Sequence, residues 1–119
     1  MELKAGDIIH VYCIFIPNYK YVICVCPINL YFFLINSESR RKTPDAQIKI
    51  KKEDFPFLKK DYSYINTATI CTIYQNEINK ATPKGSLPNH IKAEIIKVVN
   101  DCGYLSPNQK ALVKTNLSA

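Results

Sequence analysis

The chain has 119 residues, a net charge of +6 and a hydrophobic content of 47%. A chain of this length buries roughly two-thirds of its unfolded surface on folding, so we expect residues 1–119 to form a single domain without disulfides or metals. The composition excludes a disordered chain. The positive charge favours an anionic partner, either a nucleic acid, an acidic protein segment or a membrane surface, although mild basicity also serves solubility alone.

The first three apolar runs cover residues 7–16, 20–26 and 30–36. They are short, rich in β-branched and aromatic residues and apolar on both faces, which predicts strands that are covered on both sides. The longest uncharged stretch, residues 21–37, is shorter than the ~20 apolar residues of a membrane-spanning helix. A turn around Pro27 interrupts it, so it predicts a hairpin rather than a membrane span.

The next segments complete the predicted sheet. Over residues 47–51, Ile48 and Ile50 alternate with polar residues, which is typical of a strand with one wet face. Residues 54–58 predict a bend that turns aromatic side chains inward, and residues 62–73 predict a fifth strand. Residues 76–79 are weighed as a short sixth strand, whereas residues 84–86 are interpreted as a break.

The last third of the chain changes to a helical period. Apolar residues recur at i, i+4, i+7, i+8 and i+11, at Ile91, Ile95, Val98, Val99 and Cys102. Ser106 and Gln109, with Pro107 between them, predict a capping box for a second helix. Strands therefore come first and helices last, which predicts an α+β fold with a small barrel over residues 4–80 and two helices within residues 87–117.

The cysteines predict a reducing compartment. Their number is odd and all lie in or beside apolar runs, at Cys13, Cys24, Cys26, Cys71 and Cys102. The N-terminal residues include Glu2 and Asp7 and lack an early apolar core, so we expect no signal peptide and a cytoplasmic protein. Cys24 and Cys26 have no second paired motif, so we interpret them as buried thiols and expect neither a metal nor a cofactor.

A family resemblance rests on three short segments. Gly6, Asp7, Ile8 and Ile9, at the start of a basic barrel, resemble the opening of MazF/PemK-like toxins. Residues 35–37 fall where those toxins keep a Thr/Ser pair, and residues 61–66 resemble a late strand of some PemK-like relatives. The resemblance covers residues 4–75 and implies a partly open, SH3-like barrel of five to six strands.

The resemblance also implies an activity. Such toxins cleave single-stranded RNA without a metal, by attack of the ribose 2′-hydroxyl, as endoribonucleases of type II toxin–antitoxin systems. Applied to this chain, the resemblance makes Lys20, Ser37 and Asp61 the candidate catalytic residues, with His10 an alternative proton carrier. The toxins carry an Arg-Pro pair at the start of the second strand, where this chain has Lys20 and Tyr21.

Candidate RNA- and phosphate-binding residues combine charge with aromatic surface, and they are Arg40, Arg41, Lys42, Tyr21 and Tyr64. The resemblance further implies an acidic antitoxin as partner and is compatible with a homodimer. Each residue also has an ordinary structural interpretation: residues 40–42 as a solvated loop, Asp61 as a turn cap and the tyrosines as strand formers.

Other function classes lack their motifs. The chain has no glycine-rich phosphate loop, no His-Glu-x-x-His sequence and no nucleophile elbow. Nucleotide hydrolysis, zinc proteolysis and serine hydrolysis are therefore disfavoured. Three hypotheses remain. The first is a protein of the toxin fold that acts on or binds RNA, and the second is a non-catalytic SH3-like module that binds a protein or nucleic acid in the same groove. The third is a purely protein-interaction role in which the positive charge is incidental.

Overall fold

The computed structural model describes residues 2–118. Within that range six strands form one antiparallel sheet: β1 (Asp7–Cys13), β2 (Asn18–Cys26), β3 (Tyr31–Asn36), β4 (Gln47–Lys51), β5 (Tyr62–Thr72) and β6 (Thr82–Ser86). The helices are α1 (Gln75–Ile78), α2 (Asn89–Asp101) and α3 (Pro107–Ser118). The predicted α+β class, a small, partly open barrel followed by two C-terminal helices, is confirmed.

The sheet curls into a half-barrel with strand order β4-β5-β3-β2-β1-β6. Its register shifts between Ile8 and Ile9, between Cys24 and Cys26, and between Phe32 and Leu34. An extra residue in one strand bends that strand and increases its twist, so the three irregularities account for the curl. Strands β4 and β6 form the two edges.

Each face of the sheet has its own hydrophobic core. Five consecutive residues are buried in each central strand, residues 22–26 of β2 and 32–36 of β3. On one face they pack against α2 and α3, which bring in Ile95 and Val113, and on the other they pack against Ile78 of α1. The prediction that these strands are covered on both sides is confirmed.

The segment that opens the barrel has a structural explanation. Gly6 has a φ of +95°, a conformation that favours glycine because it has no Cβ. Its N–H donates to the carbonyl of Cys24 at 2.7 Å, and its carbonyl accepts from the N–H of Leu87 at 2.9 Å. A carboxylate oxygen of Asp7 accepts from the N–H of Lys4 at 2.8 Å. Gly6 and Asp7 thus set the turn that starts β1 and join it to β2 and to the segment before α2.

Two predicted elements were wrong. Residues 76–79 do not form a strand, because they overlap the helical turn α1. The sixth strand is instead β6, which lies beyond residue 80, the predicted end of the barrel. Residues 84–86, for which the sequence predicts a break, belong to this strand. Every residue of β6 is exposed, so it lacks an apolar pattern, and it is a strand because it pairs with β1. The first apolar run also ends as a strand at Cys13, and Phe15 beyond it is 64% exposed.

The C-terminal helices follow the predicted pattern. On α2, Ile91, Ile95 and Val99 are buried against the sheet. The capping box of α3 is confirmed, because the N–H of Ser106 donates to Oε1 of Gln109 at 3.0 Å and the N–H of Gln109 donates to Oγ of Ser106 at 3.2 Å. The predicted inward bend at residues 54–58 is also confirmed, with Phe55 2% exposed.

Replacing Ile95 with alanine tests how far the fold depends on the packing of α2 on the sheet. The side chain is fully buried, so we expect the Ile95→Ala variant to lose about 3–4 kcal/mol of unfolding free energy, through lost burial and a cavity. Chemical denaturation followed by circular dichroism measures this loss. Lys97→Ala, on the exposed side of the same helix, is the control and should change stability by less than about 0.5 kcal/mol. Equal effects of the two changes would contradict the packing described here.

Candidate functional site

The pairing of β2 with β3 brings three of the predicted site residues together. Tyr21 of β2 lies opposite Ile35 of β3, and continuing this register places Lys20 opposite Asn36 and Tyr19 opposite Ser37, the residue after the end of β3. These residues line a cavity of about 300 Å³. Its complete lining is Tyr19, Lys20, Tyr21, Ile35, Ser37, Leu58, Lys59, Lys60 and Ser63.

Two further depressions continue from this cavity. The second, of about 270 Å³, shares Lys20 and Ser37 with the first and adds Asn36, Glu38, Ser39 and Arg40. The third, of about 360 Å³, shares Ser39 and Arg40 with the second and adds Arg41, Pro44, Gln47, Lys49 and Tyr64. Because neighbouring depressions share residues, we treat the three as one surface, the basic groove.

The charge of the basic groove is strongly unbalanced. Its cationic side chains are those of Lys20, Arg40, Arg41, Lys49, Lys59 and Lys60, and its carboxylate is that of Glu38. Glu38 lies 3.6 Å from Nζ of Lys60, and both side chains are more than half exposed. An ion pair so open to water is weak and leaves the excess positive charge to attract an anionic ligand.

The loop that carries the arginines is fixed to β4. The N–H of Arg40 donates to Oε1 of Gln47 at 2.7 Å, and Nε2 of Gln47 donates to the carbonyl of Arg40 at 2.6 Å and to that of Thr43 at 2.9 Å. One amide side chain thus holds the backbone at both ends of the loop. Sequence reasoning missed Gln47, which the period-two pattern of β4 marked only as a wet-face residue.

A row of aromatic side chains leads into the cavity. The ring centroids of Tyr12 and Tyr19 lie 5.5 Å apart, those of Tyr19 and His10 5.4 Å, those of His10 and Tyr21 4.5 Å, and those of Tyr21 and Phe57 4.8 Å. These five residues are the aromatic row. Tyr19 is 61% exposed and lines the cavity. The row therefore presents an open aromatic face beside the lysines.

His10 is held in its neutral form. Burial lowers its pKa, and the positive charges of Lys84 and Lys59 lower it further. The ring lies against that of Tyr21 at a tilt of 30°, with the ring centroids 4.5 Å apart. Tyr21 lines the cavity, whereas His10 itself does not. The lowered pKa favours the neutral ring, which carries one nitrogen that can accept a proton.

The other predicted site residues are more scattered. Arg40, Arg41 and Tyr64 line the third depression. Lys42 is exposed and lines none of the three depressions. Asp61 is also exposed and outside the groove lining, and its carbonyl accepts from the N–H of Lys52 at 2.9 Å. Asp61 thus lies at the base of the loop that precedes β5.

One buried polar group in the groove has no partner within the protein. Asn36 is 5% exposed, lines the second depression beside Lys20, and is paired through its backbone with Tyr64 of β5. Within residues 2–118, its Nδ2 is a buried side-chain nitrogen without a hydrogen-bond partner. Leaving such a donor unsatisfied costs about 1–3 kcal/mol. The sequence predicts Asn36 as the last residue of the third strand, and burial cannot be judged from a position at a strand end.

The cysteines lie apart from the groove. Each is a free thiol, and Cys24 is fully buried, which raises its pKa to about 12. The thiol of Cys102 donates to the carbonyl of Asp45 at 3.0 Å. Over residues 2–118, no cluster of three histidine, cysteine, aspartate or glutamate side chains is suited to hold a metal ion. Across the same residues, no helix is both long and apolar enough to cross a bilayer.

Comparison with known proteins adds no family assignment. No protein-family model matches the chain, and no curated protein matches it significantly in sequence.

The pKa of His10 can be measured by following its ring protons by NMR as the pH falls. We expect a midpoint below the ordinary histidine value of about 6.5, because burial and the nearby lysines oppose protonation. Lys84→Ala should raise the midpoint by removing one of the two opposing charges, whereas Lys97→Ala on α2 should leave it unchanged. A midpoint above the ordinary value would contradict this description of His10.

Proposed function

We propose that this protein binds single-stranded RNA in the basic groove. The observation that best supports the proposal is the cavity that Tyr19, Lys20 and Tyr21 share with Ser37. Proteins that hold unpaired strands combine cations for the phosphates with aromatic rings for the bases, and each stacked base contributes about 1–3 kcal/mol. Here the two features adjoin, with the exposed ring of Tyr19 at the cavity and cations continuing along the groove.

The residues at the two ends of the groove suggest a path for the bound strand. The open ring of Tyr19 lies at one end, and Arg40, Arg41 and Lys49 lie at the other. Lys49 is also 4.1 Å from the ring centroid of Tyr62, so its ammonium group has an aromatic neighbour. We propose that bases stack on the aromatic row while the phosphates follow the cations from Lys20 to Arg41.

The resemblance to MazF/PemK-like toxins, which rests on residues 4–75, is consistent with an RNA ligand. It also suggests an acidic antitoxin as a protein partner, which would cover the same cations and compete with RNA. A homodimer through the sheet edges is less favoured, because β6 contains Pro83 and β4 carries the exposed Lys49 and Lys51. Proline and lysine on edge strands discourage pairing with another chain.

A second candidate function is metal-independent RNA cleavage, and the neutral His10 favours it. That chemistry needs a base for the ribose 2′-hydroxyl, a proton donor for the leaving oxygen and a cation for the charge that develops on phosphorus. His10 in contact with Tyr21 would supply the base, and Lys20 would supply the cation. Ser37 would hydrogen-bond the phosphate. Asp61, outside the groove lining, is the weaker choice for proton transfer.

The binding proposal predicts different effects for charge and stacking variants. Lys20→Ala and Arg40→Ala should each weaken binding of an unstructured RNA and reduce the slope of log affinity against log salt by about 0.7, the value for one phosphate contact on a single strand. Tyr19→Ala should weaken binding by about 1–3 kcal/mol with the slope unchanged, because stacking releases no counterions. Fluorescence anisotropy at several salt concentrations measures both quantities.

The matched control for this binding series is Lys114→Ala, which removes an exposed lysine of α3 away from the groove. It should leave both the affinity and the slope near those of the original protein. If Lys114→Ala lowers the slope as much as Lys20→Ala does, binding follows net charge rather than the groove, and the proposal is wrong.

The cleavage candidate is tested with a mixed-sequence RNA in EDTA. If the chain is a nuclease, we expect products that require the 2′-hydroxyl, so a DNA strand of the same sequence should stay intact. His10→Ala should abolish cleavage but weaken RNA binding less than Tyr19→Ala does, since His10 belongs to the aromatic row without lining the cavity. Gel electrophoresis of the labelled strands measures both cleavage and RNA binding. RNA that binds and stays uncut would leave the protein as a binding module without catalysis.

A further inference from the structure

The second depression of the basic groove contains an unusual combination of groups. Asn36 presents a nearly fully buried amide whose Nδ2 has no partner among residues 2–118. The same depression is lined by two cations, Lys20 and Arg40, and by two hydroxyl groups, Ser37 and Ser39. Each of these five side chains can donate a hydrogen bond, so a ligand with several acceptor oxygens would satisfy them together.

The carboxylate of Glu38 also lines this depression. Its oxygen lies 3.6 Å from Nζ of Lys60, which itself lines the first cavity, so part of its charge is compensated by a lysine outside the depression. Two cations and one carboxylate leave one net positive charge in a space of about 270 Å³. That balance suits a ligand group with a single negative charge.

We infer that the depression between Lys20, Asn36 and Arg40 is a phosphate subsite. In it the amide of Asn36 donates to a phosphate oxygen while Lys20 and Arg40 bind the charge. Nδ2 is itself closed off from solvent, so the side chain of Asn36 has to turn toward the depression to reach a phosphate oxygen. The bound phosphate would then supply the acceptor that Nδ2 lacks inside the protein, and hydrogen bonds to a charged acceptor are roughly twice as strong as neutral ones. The inference rests on the proposed function only where the phosphate belongs to RNA. A free phosphate or a phosphate monoester presents the same acceptor oxygens, with a second negative charge partly present at neutral pH.

Position within the groove supports the subsite. The depression shares Lys20 and Ser37 with the cavity that Tyr19 and Tyr21 of the aromatic row line, and it shares Ser39 and Arg40 with the arginine end. It therefore lies where the backbone of a strand would pass from the stacked bases to the arginines. The backbone of Arg40 is held by Gln47, so the loop that carries this cation is ordered before a ligand arrives.

The test begins with the unmodified protein and inorganic phosphate. The side-chain NH₂ signals of Asn36 are followed in ¹⁵N-edited NMR spectra during a phosphate titration, with chloride at equal ionic strength as the reference. We expect the Asn36 signals to move with phosphate and not with chloride. A 5′-monophosphate and an unphosphorylated RNA strand are then titrated, which distinguishes a free phosphate group from a phosphodiester. If none of these titrations moves the Asn36 signals, the inference is overturned.

Two variants separate binding from stability. Asn36→Leu removes a donor that has no partner, so it should leave stability unchanged or increased and weaken phosphate binding about tenfold. Thr67→Val removes a buried hydroxyl whose Oγ1 donates to the carbonyl of Ala46 at 2.7 Å, so it should lower stability and leave phosphate affinity unchanged. Equal phosphate affinity of the Asn36→Leu variant and the original protein would overturn the subsite.

Failure of this inference and failure of the RNA proposal are distinguishable. RNA affinity that depends on Lys20 and Tyr19 but not on Asn36 would overturn the subsite and retain RNA binding in the groove. Phosphate that moves the Asn36 signals in a protein without RNA affinity would support the subsite and overturn the RNA proposal.

Discussion

The antiparallel pairing of β2 with β3 is the interaction on which the rest of the structure depends. Both strands are buried on two faces, and the two hydrophobic cores meet through them. The register in which Tyr21 lies opposite Ile35 also decides which residues meet at the strand ends. A shift of this register by one residue would turn the side chains of one strand over, so Tyr21 and Ile35 would no longer lie on the same face of the sheet. The pairing that secures the core therefore also builds the groove.

Much of the fold was predictable because apolar residues recur in the sequence with the spacing of the buried positions of a strand or helix. The apolar runs in β2 and β3 indicated strands covered on both sides, and the alternation of Ile48 with Ile50 indicated an edge strand with one wet face. Ser106 and Gln109 predicted their own hydrogen bonds because capping is local in sequence. Strand β6 was not predictable, since its residues are all exposed and only its pairing with β1 makes it extended.

The site was predictable only in part, because its members meet through tertiary structure. Lys20 and Ser37 were chosen from a family resemblance and Tyr21 from its aromatic ring beside charged residues, and the structure brings the three into one cavity. Lys59 and Lys60 complete that cavity from the loop before β5, and no spacing rule links them to Lys20. Gln47 was missed for the same reason, since its role depends on a loop folding back on β4. Nothing in the sequence indicated the buried, unpartnered Nδ2 of Asn36, because both its burial and its lack of a hydrogen-bond partner among the described residues depend on tertiary structure.

The unpartnered amide of Asn36 connects the stability of the barrel to its surface chemistry. Buried polar groups in folded proteins are almost always hydrogen-bonded, so an exception at a random position would be a plain loss of stability. Here the exception lies in a groove with an excess of cations and next to Lys20, where it is matched to the chemistry of an anionic ligand. Leucine at this position would satisfy the core better, since it leaves no donor unmet. Stability alone therefore does not account for an amide at the end of β3, whereas the phosphate ligand that we propose would account for it.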